Sequence, residues 1–475
     1  MLVQPLSVGA GNITWFSPQI IDHNGAALNV LPTALQASNG TLWLAWQSNK
    51  NAGGTSRYDV FYKTRTGNNW SSDFNLTGSG MNAAPALAQL QNGTILIIWT
   101  SNPSGTSCSP QCNLYYERYS TTTNKWSAST KLSSGVFNDS QSYASVGRDG
   151  TLWMVWTRVV TDCSVNPCSV TKQLYYRTLK NNIWSPEVQL TTDSNWNFYS
   201  TVVVGKDSVV RVVWSKSSSS SEFGQLYYKT YNGTAWSSET QIVTSSSSDE
   251  NSSIIQDRNG TYWIFWARKF YYNSLNFQYI LYNKFSLDNG ITWSSENQMT
   301  NTAQTVDNKM PFAVQANSGS SKAIWLFYSS NLLFNVFDIY AIQSSYISPV
   351  HDVTISQISA SPTTGSNGTI SVSVVNLGDY AESVSVTVTF TNTTRYTVGP
   401  STGSVPIGGS VNIVLSWSSS TISPGQYSAI ATVAPVPGET VGNQGDNSLQ
   451  MNGPITVIPA PSLFGSVGGA RPKPV

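Results

Sequence analysis

Charge, histidine, cysteine and helix formers are all scarce in this chain of 475 residues. Charged side chains make up 10% of it and the net charge is +1. That excludes the basic field that would draw nucleic acid or an anionic membrane. The two histidines, His23 and His351, give no basis for a histidine triad or a His-rich metal site. No run of about 18 apolar residues occurs, so no membrane-spanning helix is written here. No segment carries the 3.6-residue period of an amphipathic helix. The start, Met1 to Leu6, lacks the charged and apolar regions of a secretory signal, so no signal peptide is read in this sequence. The four cysteines form two close pairs, Cys108/Cys112 and Cys163/Cys168, inside Ser/Pro-containing loops. Their C-x3-C and C-x4-C spacings favour two local disulfides over a zinc site, and with them an oxidising compartment.

Strand and turn formers fill the space. Aromatics reach 12%, with 17 Trp and 23 Tyr, amid Ser, Thr, Asn and Gly. The length exceeds what one small core organises. Glycosylation candidates are the N-x-S/T asparagines Asn12, Asn39, Asn69, Asn75, Asn92, Asn138, Asn232, Asn251, Asn259, Asn367 and Asn392. Chance alone nearly supplies that many in so Ser/Thr-rich a chain.

The most informative feature is a repeat, recurring roughly every 55 residues. An apolar strand ends in an aromatic at Gly40–Trp46, Gly93–Trp99, Gly150–Trp156, Asp207–Trp214 and Gly260–Trp266, with a weaker copy at Lys322–Tyr328. A third strand follows each, as in Leu114-Tyr-Tyr-Glu117 and Leu174-Tyr-Tyr-Arg177. A fourth begins Trp-Ser at Trp70, Trp126, Trp184, Trp236 and Trp293. Four short strands per unit describe a propeller blade. The sixth copy lacks its fourth strand, and Asn12 to Ile21, which matches Asn182 to Leu190, supplies it from the other end of the chain. The sequence therefore predicts an all-β chain: a six-bladed β-propeller closed by the N-terminal strand, with no blade edge left open.

The turn Ser286-Leu-Asp288-Asn-Gly290-Ile-Thr292-Trp293 resembles the Asp-box of sialidase-like six-bladed propellers. In that family the box is a structural hairpin turn, and the resemblance implies fold rather than chemistry. It covers about residues 12 to 345. Beyond it, alternating strands such as Ser383–Phe390 and Ser410–Trp417 predict an immunoglobulin-like β-sandwich. Its segments Val375–Gly378 and Gly438–Asn447 resemble the CARDB module, a cell-adhesion-related domain that serves as a surface spacer. The expected organisation is a tail over 1–11, the propeller over 12–346, the sandwich over 347–458 and a Pro/Gly-rich disordered tail over 459–475.

Sialidases grip a carboxylate with three arginines and use a Tyr/Glu nucleophile pair with an acid/base Asp. Here Leu31-Pro32-Thr33 stands where the family's first arginine is expected, and no arginine triad emerges. One constellation does. Counting 17 residues back from each second-strand aromatic gives Asn29, Asn82, Asp139, Asn197 and Asp249, and alignment on Pro32, Pro85 and Pro311 adds Asn308. These six form an expected polar ring at one mouth of the channel, with oxygens suited to Ca2+ or sugar hydroxyls. The competing reading makes them turn-capping residues. Trp196, Phe198, Tyr199, Phe270, Tyr271 and Tyr272 are candidates for stacking on sugars or for inter-blade packing.

The leading expectation is a secreted or cell-surface recognition protein, a non-catalytic propeller binding a glycan or cell-surface protein, with the sandwich as spacer or docking module. A first alternative is a glycoside hydrolase or lyase at the propeller mouth, with Asp139, Asp249 and Glu250 as candidate acids. A second is a subunit of a surface layer that self-assembles through the sandwich.

Overall fold

This computed structural model describes residues 13–458 apart from 52–56, 106, 109–110, 135–136, 164–167, 219–222, 274–275, 319–320, 335, 346–349, 362–366 and 419–420. The expected tails at 1–11 and 459–475, together with Asn12, lie outside the described residues. The chain divides into two compact units, Met1–Ser348 and Pro349–Val475. No α-helix occurs among the described residues, and no helix is long and apolar enough to cross a membrane.

The described part of the first unit consists of six antiparallel sheets of four or five strands, numbered here in chain order of their first strands. Those first strands are Asn29–Gln36, Met81–Gln89, Asn138–Val146, Trp196–Val204, Ser248–Gln256 and Asn308–Ser318. Second strands such as Leu42–Ser48 and Ile95–Asn102 are buried almost end to end. Their apolar runs do not alternate because neighbouring sheets cover both faces, as in any stacked sheet.

The Trp-Ser repeat has two physical roles. The Ser hydroxyl accepts the amide of a third-strand residue in five sheets: Thr64 to Ser71, Arg118 to Ser127, Thr178 to Ser185, Thr230 to Ser237 and Phe285 to Ser294, all at 2.9–3.1 Å. The Trp turns edge-on to an aromatic of the preceding sheet, with Trp126 6.0 Å from Trp43 and Trp236 6.2 Å from Trp153. The side chain thus replaces a strand bond where the fourth strand breaks, as between Asn69–Trp70 and Phe74–Asn75.

The segment Gln19–Asp22 pairs antiparallel with Asp338–Gln343, in the register Gln19↔Ala341, and Trp15 bridges Ser344. At the turn that resembles an Asp-box, the Asp288 carboxylate accepts the Ser286 hydroxyl, the Thr292 hydroxyl and the Thr292 amide. Both expected disulfides are formed, Cys108–Cys112 and Cys163–Cys168.

The second unit has two sheets, one ordered Val353–Ser361, Asn367–Asn376, Ser410–Ser418, the other built on Arg395–Val405, Glu382–Thr391, Gly425–Val433 and Ser448–Gln450. Glu382–Thr391 alternates buried and outward residues, as a strand facing one core must. That core gathers Val386, Val388, Phe390, Trp417 and Ala431 from both sheets.

Candidate functional site

The six asparagines and aspartates singled out by spacing do sit at one level, at the start of the first strands, but they are 0–2% exposed. Each commits its side-chain oxygen inside its own sheet, while the Asn29 and Asn197 amides also donate to Asp338 and Gln173 of a neighbouring sheet. The side-chain oxygen of Asn29, Asn82, Asp139, Asn197 and Asp249 accepts the indole N–H of Trp46, Trp99, Trp156, Trp214 and Trp266 at 2.7–3.3 Å. Sheet 6 carries Tyr328 where the other second strands carry tryptophan, and there Asn308 accepts the Ser330 hydroxyl instead, at 2.8 Å. A buried indole N–H needs an acceptor, and the constant 17-residue offset is the register that supplies one.

Charge obeys the same logic. Where the acceptor is Asp, the residue two beyond the tryptophan is arginine. Arg158 forks onto both oxygens of Asp139 at 2.6 and 2.9 Å, and Arg268 onto Asp249 at 2.7 and 3.3 Å. Where the acceptor is Asn, that place holds Ser48, Ser101, Lys216 or Ser330. Burial raises the Asp249 pKa, and Arg268 opposes the shift. Asp139 and Asp249 are thus halves of buried ion pairs, and among the described residues no group of three or more His, Cys, Asp or Glu is placed to hold a metal.

Two residues after each acceptor the strand bulges. Leu31, Ala84, Gln141, Tyr199, Asn251 and Met310 all take a left-handed φ of 49–56°, and the register with the second strand shifts there in all six sheets. Non-glycine residues rarely adopt this conformation. Its sixfold recurrence marks a shared device that re-aims the chain at the mouth, the end where first strands begin. Four of these residues, Leu31, Ala84, Gln141 and Tyr199, line a hollow of about 10 Å³ floored by Tyr143. Tyr143 stacks on Phe312, 6.0 Å away and nearly parallel. Beyond that stack lies a cavity of about 390 Å³ lined by all six first strands.

The rim is uneven. Measured from the second-strand aromatic, sheets 1 and 6 continue two residues and sheets 2 and 4 three, whereas sheet 5 continues five, to Tyr271, and sheet 3 six, to Asp162. The sheet 3 hairpin leans on sheet 4, whose Trp196 donates its indole N–H to the Val170 carbonyl at 3.1 Å. Lys172 lies 4.4 Å over the Trp196 ring. Phe223 of sheet 4 meets Tyr271 of sheet 5 at 5.5 Å. Of the aromatics proposed from sequence, Tyr271 and Tyr272 are exposed, while Trp196, Phe198, Tyr199 and Phe270 are half-buried. Phe223 and Phe277, both exposed, had no sequence signal beyond lying in long connections.

Between sheets 5 and 6 the mouth gathers charge. Glu250, 7% exposed, accepts the Ser248 hydroxyl at 2.8 Å. Asp307 accepts the Tyr279 amide at 2.9 Å. Lys309 sits 3.8 Å over the Phe337 ring. Burial lowers its pKa, Asp307 and Glu250 oppose that shift, and Lys269 adds to it. Two carboxylates and two ammoniums therefore share this corner.

The glycosylation candidates Asn39, Asn69, Asn75, Asn92, Asn232 and Asn392 are exposed, Asn138 and Asn259 half-buried, and Asn251 buried in the mouth. The Asn12 site and the Asn367 side chain lie outside what is described.

No family model matches the chain, and no curated protein sequence matches it. Solved structures do share its fold. A protein of unknown function from Dyadobacter fermentans matches with a TM-score of 0.54 at 13% identity, over 71% of this chain and 100% of that one. A Hadza microbial sialidase matches at 0.50 and 13%, over 67% of this chain and 66% of the sialidase. An α-L-arabinofuranosidase from Fusarium graminearum, solved with an iminosugar inhibitor, matches at 0.50 and 12%, over 70% of this chain and 98% of the enzyme. The likeness establishes an all-β, propeller-type fold of the kind glycosidases use. It corrects the expectation of a non-catalytic recognition propeller: this fold is shared with two sugar-cleaving enzymes.

Proposed function

We propose that the six sheets are the blades of one propeller, closed by the N-terminal strand, and that the protein is a glycoside hydrolase working at the mouth between blades 5 and 6. The pairing of Gln19–Asp22 with Asp338–Gln343 supports closure. The observation that carries the activity is the meeting of sheets 5 and 6 near Glu250, where Asp307 accepts the Tyr279 amide at 2.9 Å and Lys309 lies 5.8 Å over the Tyr279 ring. Glycoside hydrolysis needs two carboxyl groups, one to protonate the leaving oxygen and one to act on the anomeric carbon directly or through water. Of the acids named from sequence, Glu250 is the one that remains in this role, because Asp139 and Asp249 are held by arginines. The two disulfides support an extracellular setting. For the second unit we propose the CARDB-like sandwich. Its support is the pair of sheets and the turn in which the Asn376 side chain accepts the Gly378 amide.

The test is release of reducing sugar from a panel of aryl glycosides and polysaccharides by the full chain. Glu250→Gln and Asp307→Asn should each lower the rate by about 10²–10⁴-fold with unchanged melting temperature. Full activity in both variants, or no turnover of any glycoside, overturns the reading.

A further inference from the structure

The far half of the axis holds space that the proposed hydrolysis does not use. The cavity of about 390 Å³ lies beyond the Tyr143–Phe312 stack. Its lining runs down to Gln36, Gln89, Val146 and Gln256, the last residues of their first strands. It is therefore reached from the end where first strands finish. Glu250 stands near the start of its strand, at the opposite end. The volume falls within the range of about 300–1,000 Å³ in which small-molecule pockets lie.

Two features of the wall select an occupant. The first is that it carries no charge. None of the residues lining it is Asp, Glu, Lys, Arg or His. Its one phenol, Tyr143, stays protonated, because burial raises its pKa. An ion placed here would meet no partner, and its lost hydration would go uncompensated.

The second feature is a bias toward hydrogen-bond acceptors. Each first strand is the end strand of its sheet, paired on one side only. Its other edge offers amides and carbonyls to the axis. Some of those amides are taken up by the preceding sheet: Ile254 donates to the Thr201 hydroxyl at 3.4 Å and Ala313 to the Ser253 hydroxyl at 3.0 Å. The carbonyl of each residue lies on the same edge as its amide, and so remains to accept. The glutamines at the far end differ among themselves. Gln89 accepts the Ser38 amide and Gln256 the Lys206 amide, both at 2.8 Å, from the turn after the preceding sheet's first strand. Gln315 holds the same place in sheet 6, yet its amide nitrogen has no hydrogen-bond partner among the described residues. Its carboxamide is able to turn toward an occupant.

We propose that this cavity binds an uncharged polyol of monosaccharide to disaccharide size, whose hydroxyls donate to the edge carbonyls and to Gln315. The apolar side of such a molecule suits the rings of Tyr143 and Phe312. The site is separate from the corner at Glu250 and does not depend on the hydrolase reading.

Saturation-transfer NMR on the full chain tests it, with sorbitol, arabinose and sucrose as probes and gluconate as the charged counterpart of sorbitol. Transfer is expected to at least one neutral probe and not to gluconate. Gln315→Met removes the carboxamide, and Ala144→Trp fills part of the cavity. Each should weaken binding at least tenfold, and the unchanged melting temperature of Gln315→Met keeps the test valid if Ala144→Trp fails to fold. Glu250→Gln should bind like the wild type. No transfer to any neutral probe, equal transfer to gluconate, or wild-type binding by Gln315→Met overturns the proposal. Binding lost in Glu250→Gln and kept in Gln315→Met places the sugar at the mouth and overturns it as well. Glycan cleavage without axial binding leaves the hydrolase reading standing alone, and axial binding without cleavage leaves this site standing alone.

Discussion

Sheets 3 and 5 hold their second-strand tryptophan with a carboxylate, and sheets 1, 2 and 4 with a carboxamide. The geometry is the same, and the neighbours differ. A carboxamide brings no charge into the interior, so serine two places beyond the tryptophan suffices in sheets 1 and 2. A carboxylate at 0% exposure needs a cation, and arginine stands in both sheets that have one. The lesson is that charge at these positions is balanced across the strands within a sheet, with no need of a ligand to explain it.

Breaking the pair in a carboxylate sheet should give the largest effect. Arg158→Ala leaves Asp139 buried and unpaired, and should cost about 3–5 kcal/mol in urea unfolding. Converting sheet 3 to the sheet 2 arrangement, Asp139→Asn with Arg158→Ser, should recover most of that loss, and a double variant as unstable as the single one would refute the equivalence. In a carboxamide sheet, Asn82→Ala strands the Trp99 indole N–H and the Ser101 hydroxyl, and should cost about 1–3 kcal/mol.

A second comparison concerns the third strand. Lys63, Arg177 and Lys284 each donate to a backbone carbonyl of a neighbouring sheet, those of Ile21, Leu132 and Ile242. Sheet 2 places Glu117 at the matching position, opposite Ile97, and burial pushes its pKa up to about 7. The folded state thus holds this proton more tightly than the unfolded chain, whose carboxyl loses it near its ordinary value. Stability is fully present below that value and falls as pH rises through about 7. Glu117→Gln should flatten this decline in melting temperature between pH 5 and 8, and an unchanged slope would exclude Glu117 as its source. The smallest effect should come from sheet 6. Tyr328→Phe removes a buried hydroxyl with no hydrogen-bond partner among the described residues, so no bond is lost and stability should hold or rise by about 1 kcal/mol.

The repeat was legible because a tryptophan at fixed register leaves a period that no loop length erases. The 17-residue offset was legible too, but its meaning was not. Counting residues locates a polar side chain before a strand without saying which way it points. One signal in the sequence did carry the answer: Arg158 and Arg268 follow their tryptophans by two residues only where the partner is Asp, a correlation expected of a cross-strand pair. The corner at Glu250 was partly visible, as one acid among three. Asp307 and Lys309 were not, because they come from the next sheet. The bulge at Tyr199 or Met310 has no glycine to announce it, so its left-handed turn was hidden. The tall hairpins of sheets 3 and 5 read only as long connections, since strand length beyond the last aromatic leaves no compositional mark.

The seam between Gln19–Asp22 and Asp338–Gln343 has a mechanical corollary. Because the two segments run antiparallel, with Gln19 beside Ala341, the chain enters and leaves the first unit at the same end of this pair. Tension applied across those two exits would peel the strands apart one rung after another, the easiest loading direction for a β ladder. Any tether that pulls on both would find the first unit's yielding point there, well before the buried tryptophans of the other five sheets feel the load.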